Sequence, residues 1–292
     1  MSITIFLKGM LMGICDLIPG ISGGTIAFIT GIYSRLINAV KAFSPRLLKN
    51  FIALLFKRNK ENCAVFKEDI KKLDLGFLAA LAAGIAASFL LGSRLIHYLL
   101  NNYFVHTISF FIGLILASSL FIYKNIESHS PKNISFGFLG IALGSGLALV
   151  MPASITPGLF YIFLGGFLAV SAMFLPGISG AFILLIMGIY EFMIAALHDI
   201  INNLLHIFVF LIGAVLGMFA VSRAVSFLFV KDRCKTLYFL LGLVIGALAI
   251  PIRRIAQYDI AWSANNIIST SALLLLGFIS VIIIQSKNGQ TA

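Results

Sequence analysis

The residues best suited to chemistry are three hydroxyls set among glycines: Ser22, Thr25 and Ser179. They lie in two related stretches, "DLIPGISGGTIAFITGIY" at 16–33 and "MFLPGISGAFILLIMGIY" at 173–190, whose prolines stand at 19 and 176, 157 positions apart. Pro19-Gly20 and Pro176-Gly177 each interrupt a helix, and Ser22-Gly23-Gly24 or Ser179-Gly180 then opens a new one. A helix N-terminus presents unpaired N–H groups and about half a positive charge, and glycine lets an anion approach the backbone. The chemistry favoured at such a break is therefore binding of an anion, a phosphate or a carboxylate.

The elements that position these residues belong to a membrane. Of 292 residues, 60% are hydrophobic and 11% charged, and the mean hydropathy is +1.07, well outside the range of soluble domains. Charge-free runs cover 75–93, 95–123, 133–190, 200–222, 236–252 and 260–286. A helix needs about 20 apolar residues to cross the hydrocarbon core, so most of these runs can span and the third must span more than once. The strand-like alternation of an outer-membrane barrel is missing, so the expected fold is an all-α polytopic membrane protein. Residues 1–14 lead directly into the first motif, without a small-residue cleavage site.

Lipid-facing backbone cannot be left unpaired, so each motif break must be covered by protein or line a wet cavity. Two broken helices at matching places in a repeated chain point to the central site of a transporter. The repeat extends further: "GIAASFLLGSR" at 84–94 matches "GAVLGMFAVSR" at 213–223, and "FFIGLILAS" at 110–118 matches "FLLGLVIGA" at 239–247, both 129 apart. The drop from 157 to 129 leaves about 28 extra residues in the first copy, which fit the basic 41–74 segment. The expected organisation is a first repeat over 1–155 and a second over 156–292, each a broken or re-entrant helix followed by about three spans. After Gly-Ile-Tyr the first copy carries that basic segment, whereas the second has "EFMIAALHDIINNLLH", with no Lys or Arg. One loop is then cytoplasmic and its counterpart external, which inverts the second repeat. The N-terminus and loop 41–74 fall inside. Arg253 and Arg254 fall outside in this scheme, against the trend.

The net charge of +11 does not indicate nucleic acid, because nine of the 21 basic residues lie between Lys41 and Lys72. That stretch mixes them with apolar residues at helix-like spacing, as a juxtamembrane segment near anionic phospholipid does. Cys15, Cys63 and Cys234 are scattered and the five histidines form no cluster with ligand spacing, so neither a metal nor another cofactor is expected.

Charges inside the spans are costly and informative. Arg94 and Arg223 occupy equivalent places in the repeat, where they either snorkel to headgroups or contact a phosphate at opposite entrances. Asp16 precedes the first proline with Lys8 eight residues upstream, an arrangement open to a structural ion pair or to proton coupling. Glu191 is the other carboxylate suited to coupling. Glu191 and Arg35 also read as interfacial anchors, and Tyr33 and Tyr190 as belt residues.

"KGMLMGICDLIPGISGGTIAFITGIYSRLI" at 8–37, with "LPGISGAFILLIMGIYEFMI" at 175–194, resembles the bacterial polyprenyl-phosphate transporter family, formerly a membrane domain of unknown function, over nearly the whole chain. The resemblance implies flipping of undecaprenyl phosphate from the outer to the inner leaflet of the cytoplasmic membrane for reuse in envelope synthesis. The second copy departs from the block, with Ala181 and Phe182 where Gly24 and Thr25 stand. One alternative is a membrane phosphatase acting on undecaprenyl pyrophosphate. That family has an Arg after the motif serine and paired glutamates on an earlier helix, whereas here Gly23 and Gly180 follow the serines and "IFLKGMLMGICD" has no glutamate. An intramembrane serine protease needs a histidine base, for which His97 is the near candidate. A soluble-anion carrier or channel shares the half-helix site.

Overall fold

The computed structural model describes residues 2–17, 21–43, 50, 59, 70, 73–124, 126–147, 149, 157–258 and 263–288, and every regular element in them is helical. Pro19, Gly20 and most of the 41–74 segment lie outside the described residues. The first part of the chain gives α1 (Ile3–Asp16), α2 (Gly23–Ile29), α3 (Tyr33–Lys41), α4 (Leu75–Ala87), a π turn (Ser88–Gly92), α5 (Ser93–Asn102), α6 (Phe104–Lys124) and α7 (Pro131–Leu147). The second part gives α8 (Leu159–Phe174), α9 (Gly180–Ile186), α10 (Tyr190–His198), α11 (Leu204–Lys231), α12 (Arg233–Ala247), α13 (Ala249–Gln257) and α14 (Ala264–Asn288).

Among the described residues, five helical stretches are long and apolar enough to cross a bilayer: Leu75–Gly92, Phe104–Lys124, Leu204–Lys231, Arg233–Gln257 and Ala264–Ile283. The chain is a multi-pass membrane protein. Only 17% of the α11 span and 11% of the α14 span are buried within the protein, against 67% of the α12–α13 span. Apolar faces as open as those of α11 and α14 require lipid, and α12–α13 runs through the middle. Helices α1 and α8, with 14 and 16 residues, are about 21 and 24 Å long and stop short of the roughly 30 Å core.

Both copies of Gly-Ile-Tyr have the same local reason. Gly31 and Gly188 adopt φ of +74° and +70°, the left-handed turn that ends a helix and that glycine enters without a Cβ penalty. The Ile32 and Ile189 N–H groups then reach back to the Ala27 and Leu184 carbonyls, closing the short helices α2 and α9. The following tyrosine starts the next helix. Helices α9 and α10 are bent by 113° across this turn.

Tight helix crossings organise the rest. Helix α1 packs on α4, α8 on α11, α6 on α14 and α7 on α12. Small residues set these contacts, as they do where lipid gives helices no hydrophobic drive to associate. A Cβ on Gly9 or Gly84 would strike the backbone of the other helix of the α1–α4 pair, and one on Gly166 or Gly213 would do the same between α8 and α11.

Candidate functional site

The first motif leads into a buried stretch. Ile21 through Ile29 are all buried. Helix α1 ends at Asp16, and its carboxylate turns back to accept the Gly23 N–H at 2.7 Å, at the first residue of α2. Ser22 caps the same helix, its Oγ accepting the Gly24 N–H at 3.2 Å. The N-terminus at which an external anion was expected is thus met by the chain's own carboxylate and hydroxyl. A Cβ on Gly23 would collide with that carboxylate, and one on Gly24 would lie 2.5 Å from the Met173 carbonyl oxygen.

The second motif is built on a turn. Gly177 has φ +91° and lies against the Leu243 backbone of α12, so no side chain fits there. Ser179 is the N-cap of α9 but makes no side-chain capping bond. The two motifs meet directly: Thr25 Oγ1 accepts the Gly177 N–H at 2.8 Å, a buried bond across 152 residues. Tyr33 adds a second tie, donating its hydroxyl to the Phe174 carbonyl at 2.8 Å. Tyr33 is only 2% exposed, so it is a buried strut and not a belt residue.

Two cavities lie beside this junction. A space of about 10 Å³, room for one water, is lined by Ser22, Thr25, Gly177 and residues of α6, α12 and α13. A larger cavity of about 260 Å³ is lined by Asp16, Leu17, Ser179, Ala181, Phe182, Leu185, Tyr190 and Arg254. It joins the end of α1, the start of α9, the start of α10 and helix α13, and it sets one guanidinium and one carboxylate among apolar walls. A carboxylate and a hydroxyl beside a guanidinium, walled by Leu and Phe, suit an anionic head on a greasy body.

The remaining residues singled out in the sequence lie elsewhere. Lys8 donates to the Thr30 carbonyl at 2.7 Å, at the end of α2, and Asp16 to Gly23, so the two serve opposite ends of one short helix instead of pairing. In the second half Tyr161 does the work of Lys8, donating to the Met187 carbonyl at 3.1 Å at the end of α9. Arg94 is exposed on α5. Arg223 is half-buried on α11, where Nη1 donates to the Phe219 carbonyl at 3.2 Å and the guanidinium lies 5.2 Å from the Phe219 ring centre. Glu191 is exposed beside Tyr190. None of Arg94, Arg223, Lys8 and Glu191 lines the larger cavity. Arg35 forms a two-point pair with Asp74, at 2.6 and 3.1 Å, and covers the Phe77 ring. Pro176 is buried behind the junction, and Gly180 packs against the Ala169 carbonyl and Met173.

Sequence reasoning missed Arg254 and the place of Tyr190 in the cavity. The available signal was the conflict between Arg253-Arg254 and the positive-inside scheme, which marked this pair as unusual.

Comparison with known proteins identifies the family. The model of the VCA0040-like family, described as undecaprenyl phosphate translocase-like, matches residues 12–283. The chain belongs to the VCA0040-like family. The matched span takes in Asp16, both motifs and Arg254. A polyprenyl-phosphate transporter of Vibrio cholerae serotype O1 is 36% identical over 246 residues, covering 84% of this chain and 76% of the relative. A polyprenyl-phosphate transporter of Staphylococcus aureus is 27% identical, covering 94% of this chain and 92% of the relative. No solved structure matches significantly.

Proposed function

We propose that this VCA0040-like chain is a transporter of undecaprenyl phosphate, moving it from the outer to the inner leaflet of the bacterial cytoplasmic membrane for reuse in envelope synthesis. The observation that carries the proposal is the cavity of about 260 Å³ between the two motif regions, whose wall includes Arg254 and Ser179 for a phosphate and Phe182 and Leu185 for the first isoprene units. The names of the V. cholerae and S. aureus relatives support the same substrate class.

The moving parts are two inverted repeats, 1–155 and 156–292. Corresponding elements pack on corresponding partners: α1 with α4 as α8 with α11, and α6 with α14 as α12 with α7. Gly9 and Gly84 at one crossing correspond by the sequence offsets to Gly166 and Gly213 at the other. Rocking of one repeat against the other exposes the cavity to each leaflet in turn. Arg94 and Arg223 receive the phosphate at the two entrances, and Asp16, with Lys8 and Glu191 as further candidates, couples its passage to ions. The N-terminus and the 41–74 loop face the cytoplasm, and the apolar outer faces of α11 and α14 contact membrane phospholipids.

The proposal is tested by reconstituting wild type, Arg254→Gln and Ser179→Ala with undecaprenyl phosphate and following headgroup exposure to an impermeant reagent. Arg254→Gln should slow exchange at least about tenfold, since a hydrogen bond to a charged group contributes roughly 1.5–3 kcal/mol. Unchanged exchange in both variants, at equal protein content, contradicts the site.

A further inference from the structure

The larger cavity holds a feature that an anion site does not need. Asp16 stands in its wall together with Arg254, and among the described residues these are its two charged lining residues. Asp16 is held there, because its Oδ1 accepts the Gly23 N–H at 2.7 Å and a Cβ at Gly23 would collide with it. The two charges cancel, so the described lining of the cavity carries no net formal charge. Its volume of about 260 Å³ is roughly twenty times the 10–15 Å³ that one water needs. Size therefore does not separate a phosphate monoester from a diphosphate. Charge does: a phosphate monoester carries between one and two negative charges at neutral pH, its second pKa being about 6, and a diphosphate carries at least one more.

Resting on the assignment of this cavity to the lipid phosphate, we propose that Asp16 is a specificity-determining residue that rejects prenyl diphosphates in favour of prenyl monophosphates. Arg254 neutralises about one charge of either headgroup, and the surplus charge of a diphosphate then faces a fixed carboxylate inside low-dielectric walls. The same lipid tail is thus accepted or refused by its headgroup charge. A carrier lipid that still bears its diphosphate is left for a separate phosphate-removing reaction before it enters this site.

The test is equilibrium binding of farnesyl phosphate and farnesyl diphosphate to the full-length protein in detergent. Wild type should prefer the monophosphate. Asp16→Asn keeps a similar shape and an oxygen acceptor for the Gly23 N–H but removes the charge, and should shrink that preference by about tenfold, the effect of one unit charge about 12 Å away at an effective dielectric of about 20. Asp16→Ser, a second uncharged variant, should shrink it similarly, and Arg254→Gln should weaken binding of both ligands. If Arg254→Gln weakens binding while the preference is unchanged in both uncharged variants, the selectivity role of Asp16 is wrong and the cavity assignment stands. If Arg254→Gln leaves farnesyl phosphate binding unchanged, the cavity is not the headgroup site and both inferences fall.

Discussion

Thr25 holds the two motifs together through one hydrogen bond, from the Gly177 N–H at 2.8 Å. Thr25→Val keeps the shape and removes the acceptor, leaving a buried N–H unpaired, so it should destabilise the protein by about 1–3 kcal/mol, read as a lowered unfolding midpoint in detergent. Gly24→Ala should be as harmful for a different reason, because the Met173 carbonyl it would meet is backbone and cannot swing away. The Arg35–Asp74 pair is a contrasting case. Its two side chains are 51% and 36% exposed, and the Arg35 hydrogen bond holds the Asp74 carboxyl below the usual carboxylate range. A carboxyl lowered in the folded state stabilises above its unfolded pKa of about 4 and loses that contribution as pH falls through the folded value. After solvent screening the pair contributes at most about 1 kcal/mol. The stability difference between wild type and Asp74→Asn should be small at neutral pH and vanish once pH has fallen through the lowered folded value.

At the scale of elements, the two kinds of glycine predict different costs. Gly31 has φ +74° with nothing within 4 Å of an added Cβ, so Gly31→Ala should cost only the left-handed backbone penalty of about 1–2 kcal/mol. Gly84→Ala instead drives a methyl into the α1 backbone and should separate α1 from α4, with a larger drop in unfolding midpoint and loss of transport. Much of this was legible in the chain. Pro-Gly breaks a helix wherever it occurs, and Gly-Ile-Tyr marks a helix end because only the left-handed glycine lets the chain turn there. The closure of Asp16 onto α2 was not legible. It depends on the path of the turn between α1 and α2, and a carboxylate six residues before Ser22 in sequence can face any direction. For the same reason an anion was expected at an N-terminus that the chain itself caps.

At the scale of the whole molecule, the helical membrane fold follows from composition and charge placement: the five spans found among the described residues overlap the charge-free runs at 75–93, 95–123, 200–222, 236–252 and 260–286. The sequence flagged Arg254 only as a misplaced charge, because the residues that share its cavity come from the ends of α1, α9 and α10, which only the tertiary fold assembles. The inverted arrangement predicts sidedness. In a background without Cys15, Cys63 and Cys234, a cysteine at Asn59 should be labelled only from the cytoplasmic side and one at Asn202 only from outside; labelling of both from the same side contradicts inversion. The central claim, that a lipid phosphate crosses through this protein intact, is met most directly by proteoliposomes in which the undecaprenyl phosphate headgroups of one leaflet are labelled by an impermeant reagent. With wild type, the protected half of the pool should become reactive quickly, no phosphate should be released, and Arg254→Gln should suppress the exchange. Exchange no faster than in protein-free vesicles, or release of free phosphate, would contradict the account.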